Sequence, residues 1–106
     1  MSDVQDRIRQ TVTGNPVVIF MKGTPAMPRC GFSAATVEVL RDAGAAFEAV
    51  DVLADPQVWD GVKEYSDWPT IPQVFIGGKF VGGCDIVRDL HARGDLKPLL
   101  DAASES

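Results

Sequence analysis

The run Val17-Val18-Ile19-Phe20-Met21-Lys22, with Cys30-Gly31-Phe32-Ser33 beginning eight residues beyond Lys22, decides how this chain folds. Five consecutive apolar, mostly β-branched residues without alternation read as a strand buried on both faces, the habit of a parallel sheet. A helical pattern follows: Phe32, Ala35, Thr36, Val39, Leu40 and Ala43 trace one face, and Gly44 supplies the C-terminal stop. Cys30 therefore stands at a strand-to-helix junction, where unpaired helix N–H groups favour negative charge. Such a place lowers a thiol pKa and yields a thiolate, which is both a nucleophile and a metal ligand. Ser33 occupies the position where a dithiol pair would carry its second sulfur, so no local disulfide forms. Electrons must pass through an outside thiol, or the thiolate must serve as a ligand.

Working outward, Ser2-Asp3-Val4-Gln5 reads as a capping box ahead of an amphipathic helix carrying Val4, Ile8 and Val12 and broken at Gly14-Asn15-Pro16. Gly23 to Arg29 is a loop bearing Pro25 and Pro28. Phe47 to Val52 is a second short strand. Asp55-Pro56 is an N-cap with proline at the first helical position, opening a helix that turns Val58, Val62 and Tyr65 inward and ends near Asp67-Trp68-Pro69. Gln73 to Ile76, Gly77-Gly78 and Lys79 to Val81 form a hairpin with a two-residue turn. Gly82-Gly83 leads into a helix from Cys84-Asp85 with Ile86, Val87 and Leu90 buried, ended by Gly94. A last helix carries Leu96, Leu99 and Leu100, with a tail expected to fray from Ala102. The order α-β-α-β-α-β-β-α-α predicts one α/β domain spanning residues 1–106, with a four-stranded mixed sheet flanked by helices on both faces.

With 106 residues, 45% apolar and 24% charged, the chain has the make-up of a soluble globular domain. A chain of this length buries roughly 60–65% of its unfolded surface without staples. Its net charge of −5 argues against a general nucleic-acid or anionic-membrane surface. No apolar stretch approaches the roughly 20 residues of a membrane span. The start, Met1-Ser2-Asp3, lacks the basic and apolar regions of a secretory signal, and the two cysteines stand 54 positions apart. Reduced thiols in the cytoplasm are therefore expected. Two cysteines and one histidine match no common zinc spacing.

Four segments fall in the order and spacing of one family: Lys22-Gly23-Thr24-Pro25, Cys30-Gly31-Phe32-Ser33, Trp68-Pro69-Thr70-Ile71-Pro72-Gln73 and Gly82-Gly83-Cys84-Asp85-Ile86. Over a match from about residue 3 to residue 101, the chain resembles the glutaredoxins of the thioredoxin fold, specifically the monothiol class named for its Cys-Gly-Phe-Ser site. The resemblance implies glutathione, a small peptide with two carboxylates, an amine and a thiol. Lys22 would meet one carboxylate as a point charge, and Lys63 matches a further family position near the glycine end. In such proteins the proline of the Ile71-Pro72 pair is cis, and the residue before it, here Ile71, pairs its backbone with the glutathione cysteine. Cys84 and Asp85, at a helix start, offer backbone N–H groups to the other carboxylate, and Asp85 accepts from the amine. The chain departs from the family at Trp59, where many members carry arginine. Either Lys63 covers for that cation or Trp59 packs over the ligand. A modest change of affinity is expected, because an exposed ion pair contributes roughly 0–1 kcal/mol.

Several residues admit a plainer role. Cys84 reads as a small buried residue at least as well as a second reactive thiol. Trp68 reads as packing, Trp59 as partly exposed packing, and His91 as a residue of a solvated helix face. Gly77-Gly78 is turn chemistry, and Gly82-Gly83 both a turn and clearance for a ligand.

A 2Fe–2S cluster normally takes four thiolates. Counting permits two Cys30 with two Cys84. The resemblance implies two Cys30 from a homodimer with two glutathione thiols, an arrangement suited to a cluster carrier, with Cys30 as the metal ligand. The Gly23–Arg29 loop would set the dimer geometry. Two other roles stay open. Cys30 could act as the nucleophile of a glutathione-dependent thiol-disulfide oxidoreductase, an activity that the resemblance implies is weak. The cluster-bearing chain could also pair with a BolA-like protein, with apo iron–sulfur proteins as recipients.

Overall fold

The computed structural model describes residues 3–104. Its centre is β1 (Val17–Met21), buried along its whole length. Side chains alternate across a strand, and here both sides are covered. Val17, Ile19 and Met21 join one apolar cluster, whereas Val18 and Phe20 join another on the opposite face. The sheet runs β2 (Glu48–Asp51), β1, β3 (Gln73–Ile76), β4 (Lys79–Gly82). β2 lies parallel to β1, while β3 is antiparallel to both β1 and β4. The mixed α/β sheet is the one expected, with the second strand two residues shorter than Phe47 to Val52.

Helices α1 (Asp3–Gly14) and α3 (Pro56–Ser66) cover the Val18–Phe20 face through Ile8, Val12, Val58 and Val62. Helices α2 (Gly31–Asp42), α4 (Cys84–Ala92) and α5 (Leu96–Ser104) cover the other through Val37, Leu40, Val87, Leu96 and Leu100. His91 Nε2 on α4 lies 2.7 Å from the Asp42 carboxylate of α2. Among the described residues no helix is long and apolar enough to cross a membrane.

Local signals place most boundaries. Asp55 accepts from the Gln57 and Val58 N–H groups at the start of α3, with Pro56 at the first helical position. Those N–H groups and Arg7 hold its carboxyl below the usual carboxylate range, against the upward push of its own desolvation. Gly77 and Gly78, at φ 63° and 81°, make the two-residue hairpin turn.

Three expectations change, one of them at Ile86, which is 38% exposed on α4 instead of buried; the capping box of α1 stays an expectation. Phe32 is 62% exposed instead of facing the core, and Ser33, Thr36, Val37 and Leu40 form the buried stripe of α2. The spacing of these four residues is that of a helix face one position round from the expected one. Gln5 spends its amide on the Gly61 carbonyl of α3 at 2.9 Å, tying two helices together. Ser2, its expected capping partner, lies outside the described residues. Helix α5 runs through Ser104 with Ala103 buried, past the Ala102 where fraying was expected; Glu105 and Ser106 lie outside the described residues.

Candidate functional site

Cys30 is the N-cap residue of α2, in extended conformation at φ −150°, ψ 135°. No side-chain capping bond closes on its sulfur, which is partly exposed. Burial pushes its pKa up. The Ser33 and Phe32 N–H groups, the Ser33 hydroxyl and the Lys22 charge outweigh that push and hold it below the ordinary 9.0. A helix start thus supplies the thiolate-favouring field that the sequence predicts. Ser33 does more than stand in for a missing thiol. It is fully buried, and its Oγ accepts from the Lys22 N–H at 3.1 Å. With its oxygen accepting from the backbone, its hydrogen is available to the sulfur.

The approach to Cys30 is tightly folded. Thr24 and Met27 exchange backbone hydrogen bonds, the Arg29 N–H donates to the Lys22 carbonyl at 2.9 Å, and Gly23 bridges to Pro28. At Gly23, with φ +90°, a Cβ would lie 2.5 Å from the Met27 carbonyl oxygen, so only glycine fits. Asp51, at the end of β2, accepts from the Gly23 and Leu53 N–H groups, each at 2.9 Å. The loop leading to the thiol is therefore anchored to the neighbouring strand.

Beside the thiol lies a cleft of about 270 Å³. Phe32 forms one wall, Trp68, Thr70 and the Ile71-Pro72 pair another, and Gly83 to Ile86 a third. The Ile71-Pro72 bond is cis, as the resemblance implies. The loop ahead of it is held from below by Gln73, whose Nε2 donates to the Trp68 carbonyl at 2.9 Å and the Thr70 carbonyl at 3.1 Å. Cys84 is only 6% exposed, and Asp85 stands open at the start of α4. The glycines before them make room for the protein itself. A Cβ on Gly82 would meet the Ile86 side chain at 2.7 Å, and one on Gly83 would approach the Pro72 carbonyl to 3.1 Å. Trp68 packs on Phe80 with ring centroids 5.5 Å apart and also lines the cleft, so it is both packing and wall.

Lys22 and Lys63 are not cleft residues. Lys22 follows β1, Lys63 sits one turn after Trp59 on α3, and both ammonium groups lie over the Trp59 ring, at 5.3 and 5.8 Å from its centroid. The expected site thus has two parts. Ile71, Cys84 and Asp85 converge at the cleft, and Lys22 and Lys63 converge at Trp59. Cys30 joins them: Lys22 acts on its charge, and Phe32 two residues on is a cleft wall. Sequence reading missed Thr70 and the role of Gln73. A glutamine opening the apolar run Val74-Phe75-Ile76 was the available signal for the latter, and the structure buries it fully.

A sequence profile of the family described as glutaredoxin matches residues 17–81. An uncharacterised monothiol glutaredoxin of Synechocystis is 51% identical over 98% of this chain and 97% of its own length. Glutaredoxin 4 of Escherichia coli K12 is 41% identical over 94% of this chain and 87% of its own. The crystal structure of a buckwheat glutaredoxin–glutathione complex superposes with a TM-score of 0.85 at 28% identity, over 95% of this chain and 90% of that one.

Proposed function

The chain belongs to the glutaredoxin family, on its monothiol branch, and from that membership we propose that it binds glutathione and carries 2Fe–2S clusters in the cytoplasm. One observation carries the reading: each chain offers a single accessible, thiolate-favoured sulfur, Cys30, while Cys84 is buried. Among the described residues no group of three or more His, Cys, Asp or Glu side chains gathers to hold a metal. A cluster taking four thiolates then needs two chains and two small thiols. Soft thiolate is the donor such a cargo prefers, and the glutathione held by the buckwheat relative supports the second pair.

In this reading glutathione lies across both parts of the site. Its backbone meets Ile71, one carboxylate takes the N–H groups at Cys84 and Asp85, Asp85 accepts from its amine, and the other carboxylate meets Lys22 and Lys63. Cys30 and the glutathione thiol hold the cargo, and a homodimer shares it. A BolA-like protein replaces the second chain in an alternative assembly, and apo iron–sulfur proteins receive the cluster.

The lone thiolate also supports weak thiol exchange. The Cys30 thiolate attacks the glutathione sulfur of a mixed disulfide and releases the protein thiolate. A second glutathione thiolate then attacks the Cys30–glutathione disulfide, leaving glutathione disulfide and free Cys30. One disulfide is exchanged for another: the protein sulfur returns to the thiol level, the incoming glutathione sulfur is oxidised to the disulfide level, and no second protein cysteine is needed.

Anaerobic reconstitution with iron and sulfide, with and without glutathione, tests the carrier reading. The expected product is a coloured dimer with one cluster per two chains that forms only with glutathione and not in Cys30→Ser. A colourless monomer that turns over a small glutathione mixed disulfide would replace the carrier with the exchange enzyme.

A further inference from the structure

Two lysine ammonium groups over one indole is an unusual gathering of like charge. Lys22 and Lys63 come from different elements, 41 positions apart in sequence, and meet only at Trp59. An aromatic face attracts a cation through its quadrupole, and tryptophan does so most strongly. The ring itself is fixed, because Trp59 packs against the cluster formed by Ile8, Phe20, Val58 and Val62. The cations have little else to hold them. Among the described residues Lys22 makes no ion pair, and Lys63 has only Asp60 at 3.8 Å, whose side chain is 86% exposed. Lys22 in turn stands close enough to Cys30 to favour its thiolate.

We propose that Trp59 is a positioning residue that gathers Lys22 and Lys63 into a two-cation seat for a carboxylate beside Cys30. In place of one fixed guanidinium, this chain uses a neutral ring to hold two mobile ammonium groups together at a cost in mutual repulsion. An arriving carboxylate relieves that repulsion by neutralising both at once. The seat therefore selects for the charge of its ligand rather than for its bulk. Its existence does not depend on which carboxylate is bound; only naming that carboxylate as one of glutathione's rests on the function proposed above.

Alkylation of Cys30 in the full chain tests the seat without glutathione. Iodoacetate carries a carboxylate and iodoacetamide does not, so their rate ratio reads the positive charge gathered at the thiol. Trp59→Leu keeps an apolar side chain but no ring, and its iodoacetate-to-iodoacetamide ratio should fall about two- to fivefold. Trp59→Phe should retain most of the ratio. Lys63→Met should lower it as well, and adding Trp59→Leu to Lys63→Met should lower it less than Trp59→Leu lowers the parent. A scaffold role for Trp59 moves both alkylation rates together and leaves the ratio unchanged; that result, or strict additivity of the two substitutions, overturns the proposal. If Trp59→Leu does not fold, Trp59→Phe and Lys63→Met still decide: a ratio unmoved by Lys63→Met rejects the seat. Binding of glutathione and of its glycyl ethyl ester then identifies the ligand. A preference for the free acid that shrinks in Trp59→Leu supports the seat on glutathione itself. A ratio that responds to Trp59→Leu in a protein that binds no glutathione upholds the seat and removes the glutathione reading.

Discussion

The hydroxyl of Ser33 accepts from the Lys22 N–H and leaves its own hydrogen for the Cys30 sulfur. Its removal should therefore be felt twice. Ser33→Ala leaves a backbone N–H without its partner, with an expected loss of about 1–2 kcal/mol in urea unfolding. It also raises the thiol pKa, so alkylation by iodoacetamide at neutral pH should slow. Unchanged alkylation would show that the helix N–H groups and Lys22 suffice. The same sulfur links stability to pH. In the unfolded chain the thiol keeps its proton up to the ordinary 9.0, whereas in the folded chain it loses it at lower pH. Between the two values the unfolded state binds more protons, so stability rises with pH through that window and the contribution is gone below the folded value. The stability of the native chain relative to Cys30→Ser should grow as pH climbs toward 9.0. A difference flat with pH would contradict the lowered thiol.

At the scale of elements, Gln73 links the start of β3 to the loop that walls the cleft. Gln73→Leu withdraws both donors from the Trp68 and Thr70 carbonyls. Its own Oε1 is buried without a partner, which offsets part of the loss, so about 1–2 kcal/mol is expected. Glutathione binding should weaken while iodoacetamide alkylation of Cys30 holds, because the groups that tune the thiol lie at the start of α2 and at Lys22. A parallel fall in alkylation would mean that the loop supports the thiol too. What the sequence shows and hides follows the range of the forces. The buried run of β1, the Asp55-Pro56 cap and the Gly77-Gly78 turn are set by neighbours in the chain, and all were legible. So was Cys30, since a helix start is a local feature. Phe32 was not: it lies one turn from Thr36, so periodicity admits it, and only the packing of Val37 and Leu40 rotates it outward. Gln5 reaching Gly61, and Lys22 reaching Trp59, join residues far apart in sequence, and no pattern within an element announces them.

At the scale of the molecule, the reactive parts all leave one end of the sheet. Phe20 of β1 pairs with Gln73, Met21 with Asp51 of β2, and Gly82 of β4 with Val74. The Lys22–Cys30 loop, the Asp51 anchor, the cis-proline loop and the start of α4 therefore share that end. The opposite end holds the hairpin turn, where the Gly77 N–H donates to the Pro16 carbonyl at 2.8 Å, with Thr13 and Ala103 close by. Inserting four Gly/Ser residues between Gly77 and Gly78 lengthens a closed turn and should cost about 1 kcal/mol. Cys30 alkylation should be unaffected; a slower reaction would show the two ends to be coupled through β1 and β3. This polarity makes the turn a handle. A dye, a surface linker or a fused domain attached there leaves the thiol end facing open solution, so reaction at Cys30 can be watched on a tethered molecule.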